Sequence, residues 1–118
     1  MEFSPSTYML GVLYMRGEGI FKDQEKAFEL FLKAAKLGEV RAQYMVGYIC
    51  QSGMLDPDEE SDSERGYLWS AVALLNGFTK ARSVMINAAV RMSDSQEASL
   101  IELAQACINS AYENCKIS

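Results

Sequence analysis

The sequence predicts an all-α fold: an α/α superhelix, a repeat solenoid of about three helix–turn–helix units with a C-terminal capping helix. Three observations predict it. First, residues recur at a fixed offset. Gly11 returns as Gly47, Tyr8 as Tyr44, Met9 as Met45 and Gly17 as Gly53, all at 47 − 11 = 36 positions. Farther along, Phe28 returns as Tyr67, Ala34 as Ala73, Gly38 as Gly77 and Ala42 as Ala81, at 67 − 28 = 39. One insertion after Gly53 reconciles the two offsets. A period in the thirties marks stacked helix pairs, none of which buries its apolar face alone. Second, the apolar residues of the first unit, such as Ala27, Leu30, Phe31 and Ala34, fall at helical spacing. Third, the two prolines spare every helix interior: Pro5 suits a first turn and Pro57 lies in a loop. The expected units are repeat 1 over about 5–38, repeat 2 over about 39–77, and a degenerate repeat with its cap over 78–118.

Ser4-Pro5 starts the first helix, with serine at the N-cap. From Tyr8 to Met15 it is apolar nearly all round, as suits an inner helix packed on more than one side. Gly11 costs ~1 kcal/mol relative to alanine in a helix, so it marks a place where a neighbouring helix backbone comes close. Gly17-Glu18-Gly19 is the turn. A phosphate cradle would need a third glycine and a preceding strand, and has neither. Asp23 caps the second helix, whose inner stripe is Ala27, Leu30, Phe31 and Ala34. Its solvent side carries Glu25, Lys26, Glu29, Lys33 and Lys36, and Gly38 stops it.

The second pair is expected over Val40–Ser52 and Ser63–Asn76, joined by an acidic loop. Asp56, Asp58 and Glu60 alternate like calcium ligands. An EF-hand beginning at Asp56 would need glycine at 61 and glutamate at 67, where Ser61 and Tyr67 stand. A solvated acidic insertion fits better. Ser61 and Glu64 have capping-box spacing, Trp69 is a core residue, and Asn76-Gly77 ends the helix. The third inner helix is expected over Lys80–Arg91, burying Ala81, Val84, Met85, Ala88, Ala89 and Met92. Ile86 stands where the repeat would place glycine. Asp94 and Glu97 fit a capping box opening the last helix, which is apolar at Ala98, Ile101, Ala104, Ile108 and Tyr112.

These residues resemble the Sel1-like repeats, a branch of the tetratricopeptide-like solenoids. The first copy carries Leu10-Gly11, Tyr14, Gly17, Gly19, Ile20, Asp23, Lys26-Ala27, Leu30, Ala34-Ala35 and Gly38. The second carries Ala42, Val46-Gly47, Gly53, Trp69, Ala73 and Gly77. It departs at Cys50, where the family has tyrosine, at Arg65-Gly66, where it has Lys-Ala, and in its longer loop. The resemblance covers roughly residues 6–90. It implies a superhelix that binds other proteins and has no chemistry of its own.

At 118 residues the chain forms one domain, large enough to bury about two thirds of its unfolded surface. Hydrophobic content of 49% and a mean hydropathy near zero fit a globular chain. No apolar run approaches the ~18 residues of a membrane span, and Met1-Glu2-Phe3-Ser4 lacks the pattern of a signal peptide. The net charge of −5 argues against nucleic acid as a partner, since phosphate neutralisation needs a basic surface. There is no histidine. That removes His-based metal sites, general bases and nucleophile pairs, so no enzyme activity, cofactor or metal is expected.

Of the three cysteines, Cys50 falls at a core position. No pair has C-x-x-C spacing, which argues against zinc and thioredoxin-like chemistry. Cys107 and Cys115 would lie about 12 Å apart on one straight helix, beyond the ~7 Å limit for a disulfide. A bond requires the helix to end first and the tail to fold back. Asn109-Ser110 and Asn114, poor helix formers, permit that; two unpaired thiols are the alternative. Secreted members of the resembled family carry similarly spaced cysteines, and so the resemblance favours the bacterial periplasm or secretion over the cytoplasm.

The leading functional expectation is a non-enzymatic interaction module, an adaptor, scaffold or inhibitor holding a partner protein in its concave groove. One alternative is a carboxylate-dependent hydrolase without histidine, which would need two acids with raised pKa values in a deep pocket. Another is a fragment of a longer solenoid, which would leave an apolar face uncovered around Tyr8–Leu13. In the resembled family the first helix of each pair lines the groove. Anchoring the register on Leu10-Gly11 and Val46-Gly47 assigns to that side Tyr8, Val12, Met15 and Arg16, then Arg41, Tyr44, Tyr48, Gln51 and Ser52, then Lys80, Ser83, Asn87 and Arg91. This face has four cations and no acid, so an acidic segment of the partner is the expected ligand. Its tyrosines and arginines are of the types that dominate interface energetics; solvated arginines beside core tyrosines are the alternative.

Overall fold

A computed structural model describes residues 4–53, 62–113 and 115. Among them are six α-helices and no strand: α1 (Ser4–Arg16), α2 (Gln24–Lys36), α3 (Val40–Ser52), α4 (Ser63–Leu75), α5 (Ala81–Ala88) and α6 (Asp94–Asn109), with a 3-10 turn over Ala89–Arg91. Asp56, Asp58, Glu60 and Ser61 lie outside the described residues.

The helix starts follow from local chemistry. Asp23 Oδ1 accepts the Lys26 backbone N–H at 3.0 Å, as expected. Two further N-caps fall one residue away from their expected places. Asp62, not Ser61, caps α4 by accepting from the Arg65 N–H at 3.0 Å; its carboxylate is the stronger acceptor for the helix's positive end. At α6 the capping box is Ser93 with Gln96. Ser93 Oγ accepts the Gln96 N–H at 3.2 Å, and Gln96 Oε1 accepts the Ser93 N–H at 2.8 Å. Glu97, expected in that box, instead accepts the Tyr67 hydroxyl at 3.3 Å. The third inner helix is α-helical only to Ala88. Just Met92 and Ser93 separate its end from α6, and the last turn tightens to 3-10 geometry.

Helices α1 and α2 pack as one antiparallel hairpin and α3 and α4 as a second, with α2 against α3 joining them. The third unit departs from this plan. Helix α5 packs on α4, and α6 folds back on α4 rather than on α5. Ile86 illustrates the difference: it is exposed, while its counterpart Gly47 is buried. A Cβ on Gly47 would fall 2.9 Å from the Ser70 backbone nitrogen and 3.1 Å from the Gly66 carbonyl oxygen, so only glycine lets α3 lie this close to α4. At Gly11, where the same backbone approach was expected, the neighbour is the Phe31 ring, 2.9 Å from a Cβ. Gly38, at φ 94°, and its repeat counterpart Gly77, at φ 97°, hold the left-handed conformation that ends α2 and α4.

The core gathers Phe31, Val46, Ile49, Leu68, Trp69 and Val72, with the Cys50 thiol among them. One buried polar residue spans the units. Gln43 Nε2 donates to the Ala35 carbonyl at the end of α2 (3.1 Å), and its Oε1 accepts from Asn76 Nδ2 at the end of α4 (2.9 Å). Asn76 Nδ2 also reaches the Tyr112 hydroxyl, at 3.1 Å.

Tyr112 is not on α6 as its spacing suggested. The helix ends at Asn109, and the chain reverses through Ala111 (φ 55°) and Tyr112 (φ 68°). The buried stripe is therefore Leu100, Ala104 and Cys107, while Ala98 is exposed. The reversal brings the Cys107 and Cys115 Cα atoms to 4.6 Å, and the two are joined by a disulfide.

Candidate protein-binding surface

The residues assigned to the groove separate into two groups. Those on α1 are largely engaged in packing. Tyr8 stacks on Phe31 with ring centroids 5.6 Å apart, and Val12 and Met15 are half-buried against the core. Arg16 is exposed, 3.9 Å from Glu18. The Arg41 guanidinium lies 4.5 Å over the Tyr8 ring and holds Glu39 in a two-pronged contact, Nε to Oε1 at 3.0 Å and Nη2 to Oε2 at 3.2 Å. That hydrogen bond keeps the Glu39 carboxyl below the usual carboxylate range despite its partial burial. Arg41 was assigned to an acid-free face; Glu39, two residues before it and outside the helical stripe, already meets its charge.

The second group comes together. Tyr44, Tyr48, Gln51 and Ser52 from α3 face Ser83 and Asn87 from α5 across a hollow of about 320 Å³. Antiparallel packing of α3 and α5 onto α4 sets these side chains on one side, and Val84 forms the floor. Tyr48 is 42% exposed. Tyr44 is held half-buried between Tyr48 and Phe78, with centroids at 6.3 and 5.1 Å. The lining carries aromatic, amide and hydroxyl groups and no formal charge. A shallower depression continues from Tyr44 and Ser83 to Lys80, Arg82 and Ile86. Arg91 closes the 3-10 turn; its side chain lies outside the described part of the structure. Phe78 and Arg82 were missed in the sequence. Phe78 follows Gly77 outside any helical period, and Arg82 is one step off the stripe that carries Ser83.

A further cavity lies elsewhere, between α2, α3, α4 and the C-terminal reversal. It measures about 420 Å³ and is lined by Phe28, Leu32, Val46, Cys50 and Trp69, among others. One carboxylate, Glu113, reaches it, beside Lys36 and Arg65. The pair of acids that a histidine-free hydrolase would need is not assembled there, and no group of three or more Cys, Asp or Glu among the described residues could hold a metal ion. No helix among them is long and apolar enough to cross a membrane.

The family model described as Sel1 repeat matches residues 4–39 and again residues 40–77. The chain belongs to the Sel1 repeat family. Sel1 repeats form helical solenoids, generally act as protein–protein interaction modules and are typically non-enzymatic. No curated protein matches the chain. The two matched Sel1 repeats meet at the α2–α3 packing and at the hydrogen bond from Gln43 to the Ala35 carbonyl, and the hollow is formed by the second of them with α5.

Proposed function

We propose that the protein is a non-enzymatic adaptor, scaffold or inhibitor that holds an extended segment of another protein in the hollow between α3 and α5. The observation that carries this reading is the hollow itself: two tyrosine rings on its rim, and Gln51 and Asn87 amides in its wall. Tyrosine supplies contact area at low entropy cost. The Asn87 amide offers both a donor and an acceptor, the complement of a peptide backbone; Gln51 offers its NH2 group, since its Oε1 is buried. A volume of about 320 Å³ is at the small end of ligand pockets and suits one or two side chains of such a segment. Its acidic residues are met by Lys80 and Arg82 at the end of the hollow rather than by Arg41, and binding weakens with added salt.

The same proposal puts the protein in an oxidising compartment, the bacterial periplasm or outside the cell. The support is the Cys107–Cys115 pairing, because such bonds persist there and are reduced in the cytosol. Thiol titration of protein taken from its own compartment gives one free thiol per chain on this reading and three on the alternative.

Cross-linking and mass spectrometry identify the partner segment, and a synthetic copy is then titrated. Replacing Tyr48 and Asn87 together by alanine weakens binding by about 2 kcal/mol or more with the melting temperature nearly unchanged. Arg41→Ala has a smaller effect, since its guanidinium is already engaged. A double variant that binds as tightly as the parent rules the hollow out.

A further inference from the structure

A second surface, separate from the hollow, emerges from laying one repeat on the other. At the offset of 36, the buried α3 residues Ala42, Val46 and Ile49 correspond to Ser6, Leu10 and Leu13 of α1. Val46 and Ile49 are each 1% exposed and Ala42 is fully buried; Leu10 is 41% exposed, Ser6 is exposed and Leu13 is half-buried. Met9, beside them, is 51% exposed. The positions stand at spacings of three and four, so they form one stripe along α1.

In the second repeat this stripe is covered by α2. Val46 and Cys50 share a cavity lining with Phe28 and Leu32 of α2, and Gln43 bonds the Ala35 carbonyl at the end of that helix. Helix α2 thus lies on α3 through two large apolar residues four apart, followed by small residues. Helix α1 presents Leu10 at the place of Val46, 41% exposed and with no helix laid on it among the described residues, while Tyr14, at the place of Cys50, is half-buried against the core. Beyond the end of α1 the apolar surface continues: Tyr14, Ile20 and Phe21, the last 95% exposed, line a shallow depression of about 800 Å³.

We propose that the open face of α1 is a docking site for an amphipathic α-helix of a partner protein, one that presents to α1 what α2 presents to α3. The site continues an interface the molecule already contains, which fixes the chemistry of its occupant: large apolar anchors at i and i+4 and small residues one turn later. This is helix-in-groove recognition read from internal symmetry. A second copy of this chain is a poorer occupant. The outer side of α6, at the other end of the stack, is polar at Ser95, Ser99 and Glu102. A stripe of four residues meeting itself also falls short of the roughly 20–30 residues a side of a standard interface.

The probe is α2 itself, supplied as a labelled peptide of residues 23–38 with a lactam bridge between the solvent-facing Glu29 and Lys33 to hold it helical. Fluorescence anisotropy against the full chain is expected to show saturable binding. Leu10→Glu weakens it at least tenfold while the thermal melt of the protein changes little, because Leu10 is 41% exposed and outside the core cluster. Replacing Phe28 and Leu32 in the peptide by alanine abolishes binding. Replacing Phe31, which faces α1 inside its own hairpin, changes it less than threefold. The proposal is overturned by a helical peptide that fails to bind at 1 mM, as a roughly −4 kcal/mol threshold. It is equally overturned by binding indifferent to Leu10→Glu, or by binding that requires Phe31, which would mean the peptide replaces the resident α2. Leu10-dependent self-association in sedimentation would instead make the occupant a second copy, and would also overturn it.

Discussion

Single residues carry two consequences that can be measured. Gln43 is fully buried, and its amide serves the last turn of α2 and the cap residue of α4 at once. Gln43→Met keeps most of the volume but leaves the Ala35 carbonyl and Asn76 without this partner. Both partners keep another contact, the Gly38 N–H for the Ala35 carbonyl and the Tyr112 hydroxyl for the exposed Asn76, so the loss is that of two net hydrogen bonds at about 0.5–1.5 kcal/mol each. The urea midpoint of Gln43→Met should fall accordingly, and an unchanged midpoint would show that the bridge is dispensable. Cys50 supplies a pH dependence. Burial, with the nearby Asp62 charge adding to it, pushes its thiol up to about 11 from the ordinary 9.0. The folded state therefore favours the neutral thiol. Its contribution is complete below pH 9 and shrinks as pH rises towards 11, by on the order of 2–3 kcal/mol. Stability measured between pH 8 and 10.5 should fall more steeply for the parent than for Cys50→Ala, and parallel curves would contradict the assignment. Cys50 was legible as a core residue because it interrupts an apolar helix. Gln43 was not, since one polar residue in a sequence does not reveal a partner 33 positions away.

At the scale of elements, the repeat offset located four of the helices and their turns, because glycine, aspartate and apolar spacing act locally. Caps were misplaced by one residue where a Ser and an Asp stand side by side in the sequence, either of which suits an N-cap, as at Asp62 and Ser93. The groove was half legible. Helical spacing set Tyr44, Tyr48, Gln51, Ser52, Ser83 and Asn87 on one side, and they line one hollow. It could not reveal that Arg41 is held by Glu39, which lies before the helix and outside its period. Leu10 and Val46 share a place in the repeat, yet Val46 is 1% exposed and Leu10 41%. The two glycines of that place should also respond differently to substitution. Gly47→Ala drives a Cβ into the Ser70 and Gly66 backbone, and overpacking of this kind costs about 1–3 kcal/mol or more. Gly11→Ala meets a ring that can shift along with α1, which packs chiefly on α2, and gains up to ~1 kcal/mol of helix propensity. Denaturant melts should find Gly47→Ala the worse of the two by at least ~1 kcal/mol; equal costs would show that the α3–α4 approach is not limiting.

The whole molecule is a short stack whose ends are treated differently. The Cα radius of gyration is 13.7 Å, against about 13.5 Å expected for a compact domain of this length, so two repeats and a cap behave as one body rather than as an extended rod. One end leaves Met9 and Leu10 in water, whereas the other is closed by α6 and the reversal after it. That closure is the least local feature of the chain, and the sequence left it open: the left-handed backbone at Ala111 and Tyr112 is unfavourable alone. It persists because the Cys107–Cys115 bond, the Tyr112 N–H to the Cys107 carbonyl at 2.8 Å, and Asn76 to the Tyr112 hydroxyl all hold it. A loop of this length, cross-linked, lowers unfolded-state entropy by about 2.5 kcal/mol. Trp69, the single tryptophan, lines the cavity that Tyr112 and Cys115 close, and so reports on the tail and the core together. In the oxidised protein, helical ellipticity and Trp69 emission should therefore be lost in one coincident urea transition. With Cys107 and Cys115 both replaced by serine, Trp69 emission should shift red already without denaturant, because the tail no longer shields that cavity, and the transition should move to lower urea by an amount equivalent to about 2 kcal/mol. An unchanged emission maximum together with an unchanged midpoint would mean that α6 alone closes this end of the stack.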